Sequence, residues 1–580
     1  MSETDYYVGV DVGTGSVRAL VVDRKGNTVA SSIQEIKTWR DPQDYRIFEQ
    51  STDDIWQAVG IAIKACIQSS HISPSSIKGL GFDATCSLAV TDFNGDPIVV
   101  TNGETLGQQG ERNVILWADH RAVAEADLIN ATGSPALDYV GGKISLEMEI
   151  PKILWLKNRM HPSRFCQCQF FDLPDFLTYR ATKNNTRSVC SLTCKCSFLP
   201  NTGWNKDFFK QIGLEELHNR DFAQIGAKEG EEVLIAGMPV GGGLSKAAAD
   251  DLGLVEGTAV GSALIDAYAG WLGTIAASVI DESGTLSSIP KLDESAHRIA
   301  VIAGTSTCHI VQSPQGIFVE GVWGPYKDAT IKGWWMNEGG QSSTGQLIDF
   351  VLTTHPAYNE AVKLSQEGST TIHQVLEDTL ERLRKQNNVD SLTELTKDLH
   401  IYPDFHGNRS PIADPRMRGW MTGLELDHSI VDMAKRYHAT LMAIALQTRH
   451  IIDALNIAGH HITSIYMSGG QAKNTGLMQL FADVCDMPVV LPKNSGDAVV
   501  LGAAMLGRFA ANAGESGTLK DEQSEKIWEI MVEMTPPGSM VRPKASEKEK
   551  RLLQAKYKIF LETIEIQKRW RAEMEAATNS

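Results

Sequence analysis

The alternation of apolar and turn-forming residues at the start of the chain predicts a β-hairpin. Two runs rich in β-branched residues, at 7–12 and 17–23, flank the turn Gly13-Thr14-Gly15-Ser16. After Gly26-Asn27 the pattern predicts a third strand. The start of the chain is therefore expected to form a small antiparallel sheet.

A helix and a fourth strand are predicted next. Ser51 is placed to cap a helix with an apolar stripe from Ile55 to Cys66, and residues 77–84 have the composition of a further strand. This order of three strands, a helix and a strand resembles one half of a ribonuclease-H-like fold. The predicted fold class is therefore α/β.

The turn of the first hairpin is suited to binding phosphate. Its glycines bring backbone N–H groups and the hydroxyls of Thr14 and Ser16 against phosphate oxygens, and Asp11 can hold Mg²⁺ through water. A Walker loop or a dinucleotide fingerprint would need a helix directly after the turn, and neither pattern is present. An ordinary hairpin with a glycine turn is the alternative for a lone match of this kind.

A second copy of this plan supports the phosphate interpretation. Residues 299–311 again show strand, Gly304-Thr305 turn and strand. Two related domains are therefore predicted, with a nucleotide in the cleft between them. This arrangement resembles the actin-like ATPase superfamily, which includes sugar kinases, actin, Hsp70 chaperones and polyphosphate phosphatases.

Composition narrows the class of protein. The chain has 580 residues, of which 42% are hydrophobic and 22% charged, enough for two domains or more. The net charge of -17 argues against nucleic acid or an anionic membrane as the main partner. The acidic N-terminus has no signal or presequence pattern, which favours the cytoplasm. The apolar stretch from Val255 to Ile280 is interrupted by Glu256 and Asp266, and it predicts a buried segment rather than a membrane span.

Nine cysteines, an odd number, suit reduced thiols better than disulfides. Five of them lie between Cys166 and Cys196, where the spacings fit small packed residues better than the two knuckles of a zinc site. Whether this group binds metal stays open at this point.

The chain divides into four predicted parts. Residues 1–280 form the first domain, 281–298 a linker, and 299–512 the second domain with a charged helical insertion at about 359–399. Residues 513–580 form a charged helical extension whose apolar stripe is expected to pack on the protein or on a second subunit, as in a homodimer. The stripe consists of Leu553, Tyr557, Phe560 and Ile564.

Several segments resemble one family in that superfamily, the FGGY carbohydrate kinases, over residues 6–510. These segments, in family order, are Glu49-Gln50, Trp117-Ala118-Asp119-His120-Arg121, Ile265-Asp266-Ala267-Tyr268-Ala269-Gly270, Gly304-Thr305-Ser306 and Met467-Ser468-Gly469-Gly470-Gln471-Ala472-Lys473-Asn474. Others are similar to the ribulokinase branch, namely Phe82-Asp83-Ala84-Thr85-Cys86, Cys190-Ser191-Leu192-Thr193-Cys194-Lys195, Asn337-Glu338-Gly339-Gly340-Gln341-Ser342 and Asp404-Phe405-His406-Gly407-Asn408-Arg409-Ser410-Pro411. The last of these looks like the D-ribulokinase type.

The resemblance implies a set of sugar-binding residues and a catalytic base. Asp266 is the implied base, since a carboxylate can take the proton of a sugar hydroxyl as the bond to phosphorus forms. From the sequence alone, a carboxylate in this apolar setting would more often be a helix cap. The residues implied to bind the sugar are Cys86, Trp117, Asp119, Arg121, Lys195, Asp266 and Glu338. Core packing is the alternative for Trp117, and a cap is the alternative for Glu338.

The resemblance also implies a binding site for ATP. The residues expected to contact the nucleotide or its phosphates are Gly13, Thr14, Gly15, Ser16, Arg18, Gly304, Thr305, Gly340, Gly469, Gly470 and Asn474. Asp11 would hold Mg²⁺ through water. The segment Gln471-Ala472-Lys473 departs from the broad family, which has small residues there.

The sequence thus predicts an ATP- and Mg²⁺-dependent ketopentose kinase, with D-ribulose as the favoured substrate. Kinases for L-ribulose, xylulose or a pentitol are alternatives within the family. An ATP-gated binding protein of the actin or Hsp70 kind would share both hairpins but would lack the sugar-binding set. A polyphosphate phosphatase is disfavoured by the net charge of -17. A degenerate kinase is disfavoured because the key residues are in place.

Overall fold

The first sheet is built around the predicted hairpin. The computed structural model describes residues 5–281, 283–516 and 522–579. The sheet has the strand order Ala259–Val260, Ile77–Ala84, Tyr6–Val12, Ser16–Asp23 and Thr28–Glu35, with Leu264–Ile265 also paired to Ile77–Ala84. The hairpin is antiparallel, whereas Tyr6–Val12 and Ile77–Ala84 run parallel. The predicted order of three strands, a helix and a strand is confirmed, and Ser51 caps the helix by accepting the Asp54 N–H at 3.4 Å.

The second sheet repeats this plan and is extended at one edge. Its strands are, in spatial order, Val279–Ile280, Gly538–Val541, Val489–Pro492, Ser464–Ser468, Arg298–Ala303, Thr307–Ser313, Trp335–Gln341 and Trp323–Lys327. Arg298–Ala303 and Thr307–Ser313 form the second predicted hairpin. A further sheet beside the first consists of Trp39–Arg40, Phe48–Gln50, Val114–Ile115, Leu88–Asp92 and Cys168–Asp172, and two small hairpins pair Phe198–Leu199 with Gly203–Trp204 and His400–Tyr402 with Trp420–Thr422.

Helices cover the sheets and fill the insertions. They are Thr52–Ser70, Val123–Ala131, Glu149–Arg159, Pro162–Phe165, Leu173–Thr182, Val189–Lys195, Lys206–Gln211, Glu215–Asn219, Lys246–Leu252, Asp266–Ile275, Gly345–Thr353, Tyr358–Glu367, Ile372–Gln386, Leu392–Leu395, Ile430–Ala458, Thr475–Cys485, Ala498–Ser516, Gln523–Met534 and Glu547–Asn579. Within the described part of the chain, no helix combines the length and apolarity needed to cross a membrane.

One helix of the second half packs on the first sheet. The crossing helix, Ala498–Ser516, lies against Tyr6–Val12 and Ile77–Ala84, although residues 299–512 are predicted as the second domain. Glycines permit the contact, because a Cβ at Gly79 or Gly81 would lie 1.9 Å from a carbonyl oxygen of that helix. The crossing helix also packs on the helix Asp266–Ile275. The two predicted domains are therefore joined through their helices as well as through the linker.

The C-terminal extension packs on the same chain. The stripe residues Leu553, Tyr557, Phe560 and Ile564 are all at most 5% exposed. The Tyr557 hydroxyl donates to Asp453 at 2.7 Å. The extension also supplies the strand Gly538–Val541 to the second sheet, which its charged composition did not indicate.

The cysteines between 166 and 196 behave as packed side chains. Cys168, Cys190, Cys194 and Cys196 are buried, Cys166 is half-buried, and all five are free thiols. Over residues 5–281, 283–516 and 522–579, no group of three metal-ligating side chains is found. Four of the five are therefore buried as packed side chains.

Buried histidines predict that acid destabilises the fold. Burial lowers the pKa of His438, His450 and His460 to about 4 and of His309 to about 3. Between pH 6.5 and 4 the unfolded chain binds protons that the folded chain does not, so stability present above pH 6.5 is lost on acidification. For His438, which is 5% exposed, the loss from pH 7.5 to 5 is about 2 kcal/mol. We expect His438→Phe to reduce the pH dependence of the free energy of unfolding in urea by about that amount.

The control for this experiment is His428→Gln, at an exposed histidine. Equal losses of stability in His438→Phe and in the unmodified protein would show that His438 does not contribute to acid sensitivity.

Candidate active site

Three carboxylates lie at the carboxyl ends of neighbouring parallel strands. Asp11 ends Tyr6–Val12 and is in register with Asp83 on Ile77–Ala84. Asp266 directly follows Leu264–Ile265, which pairs with Asp83 and Ala84. Parallel strands bring their carboxyl ends to one edge of a sheet, so residues far apart in sequence meet there.

The three carboxylates differ in charge state. Burial, with the charges of Asp11 and Glu338, raises the pKa of Asp266 to about 7, against the effect of the Ala267 N–H that it accepts. Burial also raises the pKa of Asp11. Burial and the neighbouring Asp11 and Asp266 raise the pKa of Asp83 well above its usual range. Asp83 is thus the group that keeps a proton, and Asp266 is poised to exchange one near neutral pH.

A cavity of about 240 Å³ opens between the two sheets at these carboxylates. The predicted site residues that line it are Asp11, Gly13, Thr14, Cys86, Trp117, Lys195, Asp266, Gly304, Thr305, Glu338 and Gly469. Both hairpin turns and the implied sugar-binding groups therefore meet in one place. Sequence reasoning missed Glu147, Cys308 and Arg409, which also line the cavity.

An ion pair crosses the cavity from one half of the protein to the other. Lys195 Nζ lies 3.6 Å from the Glu338 carboxylate, and both side chains are at most 3% exposed. Lys195 Nζ also lies 4.4 Å from the ring centre of Trp323. Burial opposes the charge on Lys195, but Cys86 and Glu338 hold its pKa above the ordinary value. This ion pair provides a charged donor and a charged acceptor inside the cavity.

Trp117 connects the cavity to the turn of the first hairpin. Its indole Nε1–H donates to the Thr14 hydroxyl at 3.0 Å. That hydroxyl keeps its own proton, which it can donate into the cavity. Trp117 thus contacts the turn of the first hairpin as well as lining the cavity.

Asp119 and Arg121, which are predicted to bind the sugar, are not among the residues that line the cavity. Both are buried, and Arg121 pairs with Asp119 at 2.7 Å and with Glu49 at 2.9 Å. Asp119 also accepts the Phe48 N–H at 2.8 Å. Their charges are satisfied by each other and by Glu49, so they hold in place the loop that carries Trp117.

Six of the residues predicted to contact ATP also lie off the cavity, namely Gly15, Ser16, Arg18, Gly340, Gly470 and Asn474. Gly340 faces Arg409, whose Cδ would lie 2.8 Å from an added Cβ, so the glycine makes room for arginine rather than for phosphate. Arg18 donates to the Gly496 carbonyl oxygen at 2.7 Å and pairs with Asp497. Gly15 and Ser16 complete the first turn without lining the cavity.

The second turn is held by the segment that departs from the family pattern. Gln471 Nε2 donates to the Gly304 carbonyl oxygen at 2.6 Å. Gly469 has φ +90°, and a Cβ there would lie 2.3 Å from the Ala303 oxygen, so only glycine fits. Gly470 has open space beside it. Asn474 caps the helix Thr475–Cys485 and does not line the cavity.

Comparison with known proteins agrees with this geometry. The model of the N-terminal domain of the FGGY family of carbohydrate kinases matches residues 6–273, and that of the C-terminal domain matches residues 299–511. The D-ribulokinase of Saccharomyces cerevisiae is 44% identical over 541 residues, covering 90% of this chain and 75% of that protein. The human FGGY carbohydrate kinase domain-containing protein is 44% identical, with 98% of each chain covered.

Solved structures share the fold. A xylulose kinase from Brucella ovis aligns with a TM-score of 0.72 and 20% identity over 97% of this chain and all of that one. The chain belongs to the FGGY family of carbohydrate kinases. It is accordingly a carbohydrate kinase, an enzyme that acts on a sugar with ATP, and it shares the two-domain fold of solved carbohydrate kinases.

We expect Gly304→Val to weaken ATP binding much more than sugar binding. A Cβ at Gly304 would meet no atom closer than 4.0 Å, so the variant should fold, but its side chain would occupy space meant for a phosphate oxygen. Isothermal titration with a non-hydrolysable ATP analogue measures the effect. Gly242→Val, also at a position with open space, is the control. Unchanged affinity in a folded Gly304→Val protein would exclude this turn from the phosphate site.

Proposed function

We propose that the protein transfers the γ-phosphoryl group of ATP to a ketopentose, with D-ribulose as the preferred substrate and D-ribulose 5-phosphate as the product. The observation that carries the proposal is the position of the Asp266 carboxylate in the same cavity as the Lys195–Glu338 pair. The likeness to a protein named D-ribulokinase, at 44% identity, supports the choice of sugar.

Asp266 is the proposed general base. It would accept the proton of the sugar hydroxyl as the new oxygen–phosphorus bond forms and the bond to ADP breaks. Its pKa of about 7 suits this role, because a base near neutral pH is both deprotonated often enough and basic enough. Closure of the two halves would keep water from taking the place of the sugar.

The carboxylate oxygens near Asp266 are suited as ligands to Mg²⁺ bound with ATP. Mg²⁺ usually binds one or two carboxylates, substrate phosphates and several waters, so it does not need a cage of three side chains. Asp11 is the residue proposed to hold it, through water, at the mouth of the first turn. The metal would neutralise charge on the phosphates, which the acidic chain otherwise repels.

Lys195 and Glu338 are proposed to recognise sugar hydroxyls from the two sides. An isomer that misplaces one hydroxyl loses a hydrogen bond to a buried charged group, which is more costly than a lost contact at a surface. Cys86 and Trp117 would bound the same sugar by contact. Contact of Gly470 and Asn474 with the adenine base stays a prediction.

The other predictions stay open in this proposal. L-ribulose, xylulose and pentitols are the alternative substrates. The alternative of an ATP-gated binding protein of the actin or Hsp70 kind is disfavoured, because Lys195, Asp266 and Glu338 line one cavity. Cytoplasmic location and a homodimer are predictions from the sequence alone.

D-ribulose should give the highest kcat/KM in a panel with L-ribulose, xylulose, pentitols, glycerol and hexoses. ADP release is the measurement. A tenfold ratio corresponds to about 1.4 kcal/mol of differential transition-state binding, which one misplaced hydroxyl supplies. A tenfold preference for xylulose or glycerol would overturn the choice of sugar while leaving the kinase class intact.

Asp266→Asn should lower kcat by about 10²–10⁴ while leaving ATP and sugar binding largely intact, because the amide keeps the size of the side chain but takes no proton. Steady-state kinetics and titration of both ligands test this, with the exposed Asp138→Asn as control. If Asp266→Asn keeps more than about a tenth of kcat, the deficit is below roughly 1.4 kcal/mol and Asp266 is not the base.

A further inference from the structure

A second cavity adjoins the catalytic one. This outer cavity has a volume of about 100 Å³ and, like the catalytic cavity, lies between the two halves of the protein. The rings of His120 from the first half and His406 from the second lie at its edge, with centres 4.9 Å apart and planes tilted by 36°. It opens to solvent beside Val123 and His406, both of which are exposed.

Glu147 and Arg409 form the wall between the two cavities. They are the residues that line both cavities in the described part of the chain. Arg409 Nη2 lies 2.9 Å and 3.1 Å from the two carboxylate oxygens of Glu147. The side chains are only 4% and 8% exposed. A single buried ion pair therefore closes this end of the catalytic cavity.

Several contacts fix the position of the Arg409 side chain. The stem of Arg409 lies against Gly340, its guanidinium carbon is 5.3 Å from the Trp323 ring centre, and Nη1 is 3.4 Å from Cys308 Sγ. Burial opposes its charge, but Glu147, Cys308 and Glu338 hold the pKa of Arg409 above the usual value. Arg409 thus stays charged and paired with Glu147.

We propose that the Glu147–Arg409 pair is the end wall of the sugar site and sets the chain length of the ketose that the enzyme accepts. This inference rests on the proposed ketopentose kinase activity. On this proposal, a five-carbon ketose would end at the wall, and the added carbons of a longer ketose would meet the ion pair.

The outer cavity is chemically suited to the extra carbons of a longer sugar. Lys143 and Asp127 contribute opposite charges, and Val123, Ala126 and Leu146 contribute apolar surface. Burial and His406 lower the pKa of His120 to about 4, so its ring is neutral at pH 7. The space beyond the wall thus favours a neutral hydroxylated chain over an ion.

The test removes both charges together, because deleting one partner would leave a buried charge unpaired. The double variant Glu147→Ala/Arg409→Met keeps an apolar stem beside Gly340 and joins the two cavities. We expect the ratio of kcat/KM for 2-ketohexoses and a 2-ketoheptose to that for D-ribulose to rise at least tenfold. An unchanged ratio in a folded double variant would overturn the proposal.

Two further variants sharpen the result. Val123→Trp in the double variant should fill the outer cavity and remove the gain for longer ketoses, whereas Val123→Trp alone should leave the ratio as in the unmodified protein. If the double variant does not fold, Glu147→Asp serves instead. It keeps the charge but withdraws the carboxylate by one methylene, and a rise in the ratio of less than twofold would then overturn the proposal.

The same experiment separates this inference from the proposed function. If the unmodified protein prefers another short sugar to D-ribulose, the proposed substrate is wrong. The role of the Glu147–Arg409 pair is then tested by the ratio of kcat/KM for longer sugars of the preferred kind to kcat/KM for that short sugar. If no sugar is phosphorylated, the kinase proposal fails, and titration of the ketoses of five, six and seven carbons into both proteins gives the length preference directly.

Discussion

The close approach of the crossing helix to the first sheet and to the helix Asp266–Ile275 fixes the geometry on which the site depends. A Cβ at Gly502 would lie 2.0 Å from the Ala269 oxygen, and one at Gly273 would lie 2.0 Å from the Ala498 oxygen. Backbone therefore touches backbone with no side chain between, which leaves little freedom for either helix to slide. On its other side, the Asp266 helix packs on the strand Arg298–Ala303 of the second sheet. The proposed base is thus located relative to both halves at once.

The cleft contains buried positive side chains, although the protein as a whole is acidic. The chain has a net charge of -17, yet Lys195 and Arg409 are both buried and both lie over the ring of Trp323. Each is paired with a carboxylate from the opposite half, Glu338 and Glu147 respectively. Such pairs add little stability after desolvation is counted, but breaking either one would leave a buried charge without its partner. They therefore favour the arrangement in which the two halves face each other across the cavity.

Local patterns in the sequence were enough for much of this picture. The two hairpins, the Ser51 cap and the α/β class follow from glycine turns and apolar periodicity. Asp266, Lys195 and Glu338 were found through segments that resemble one family, and the structure brings them into one cavity. The family itself is confirmed by domain models that match both halves.

The rest depends on contacts between distant residues, which local patterns do not specify. Glu147 and Arg409 are 262 positions apart, so neither has a sequence signal that points to the other. Asp119 and Arg121 carry a family motif, but their burial against Glu49 shows only in three dimensions. Asp83 could have been identified as a candidate site residue, because it is an acidic residue near the end of an apolar strand. Gly340 was predicted from its family segment to contact phosphate, but in the structure it lies against Arg409.

The strand Gly538–Val541 also bears on how the chain is made. It fills the place between Val279–Ile280 and Val489–Pro492, which have no contact with each other in the sheet order. During synthesis, both of those strands leave the ribosome before Gly538–Val541 does. Until then, the strand edges that pair with it have no partner. The crossing helix, which covers the first sheet, also follows both hairpins in the chain. Neither half can therefore complete its packing until residues 498–541 have been synthesised.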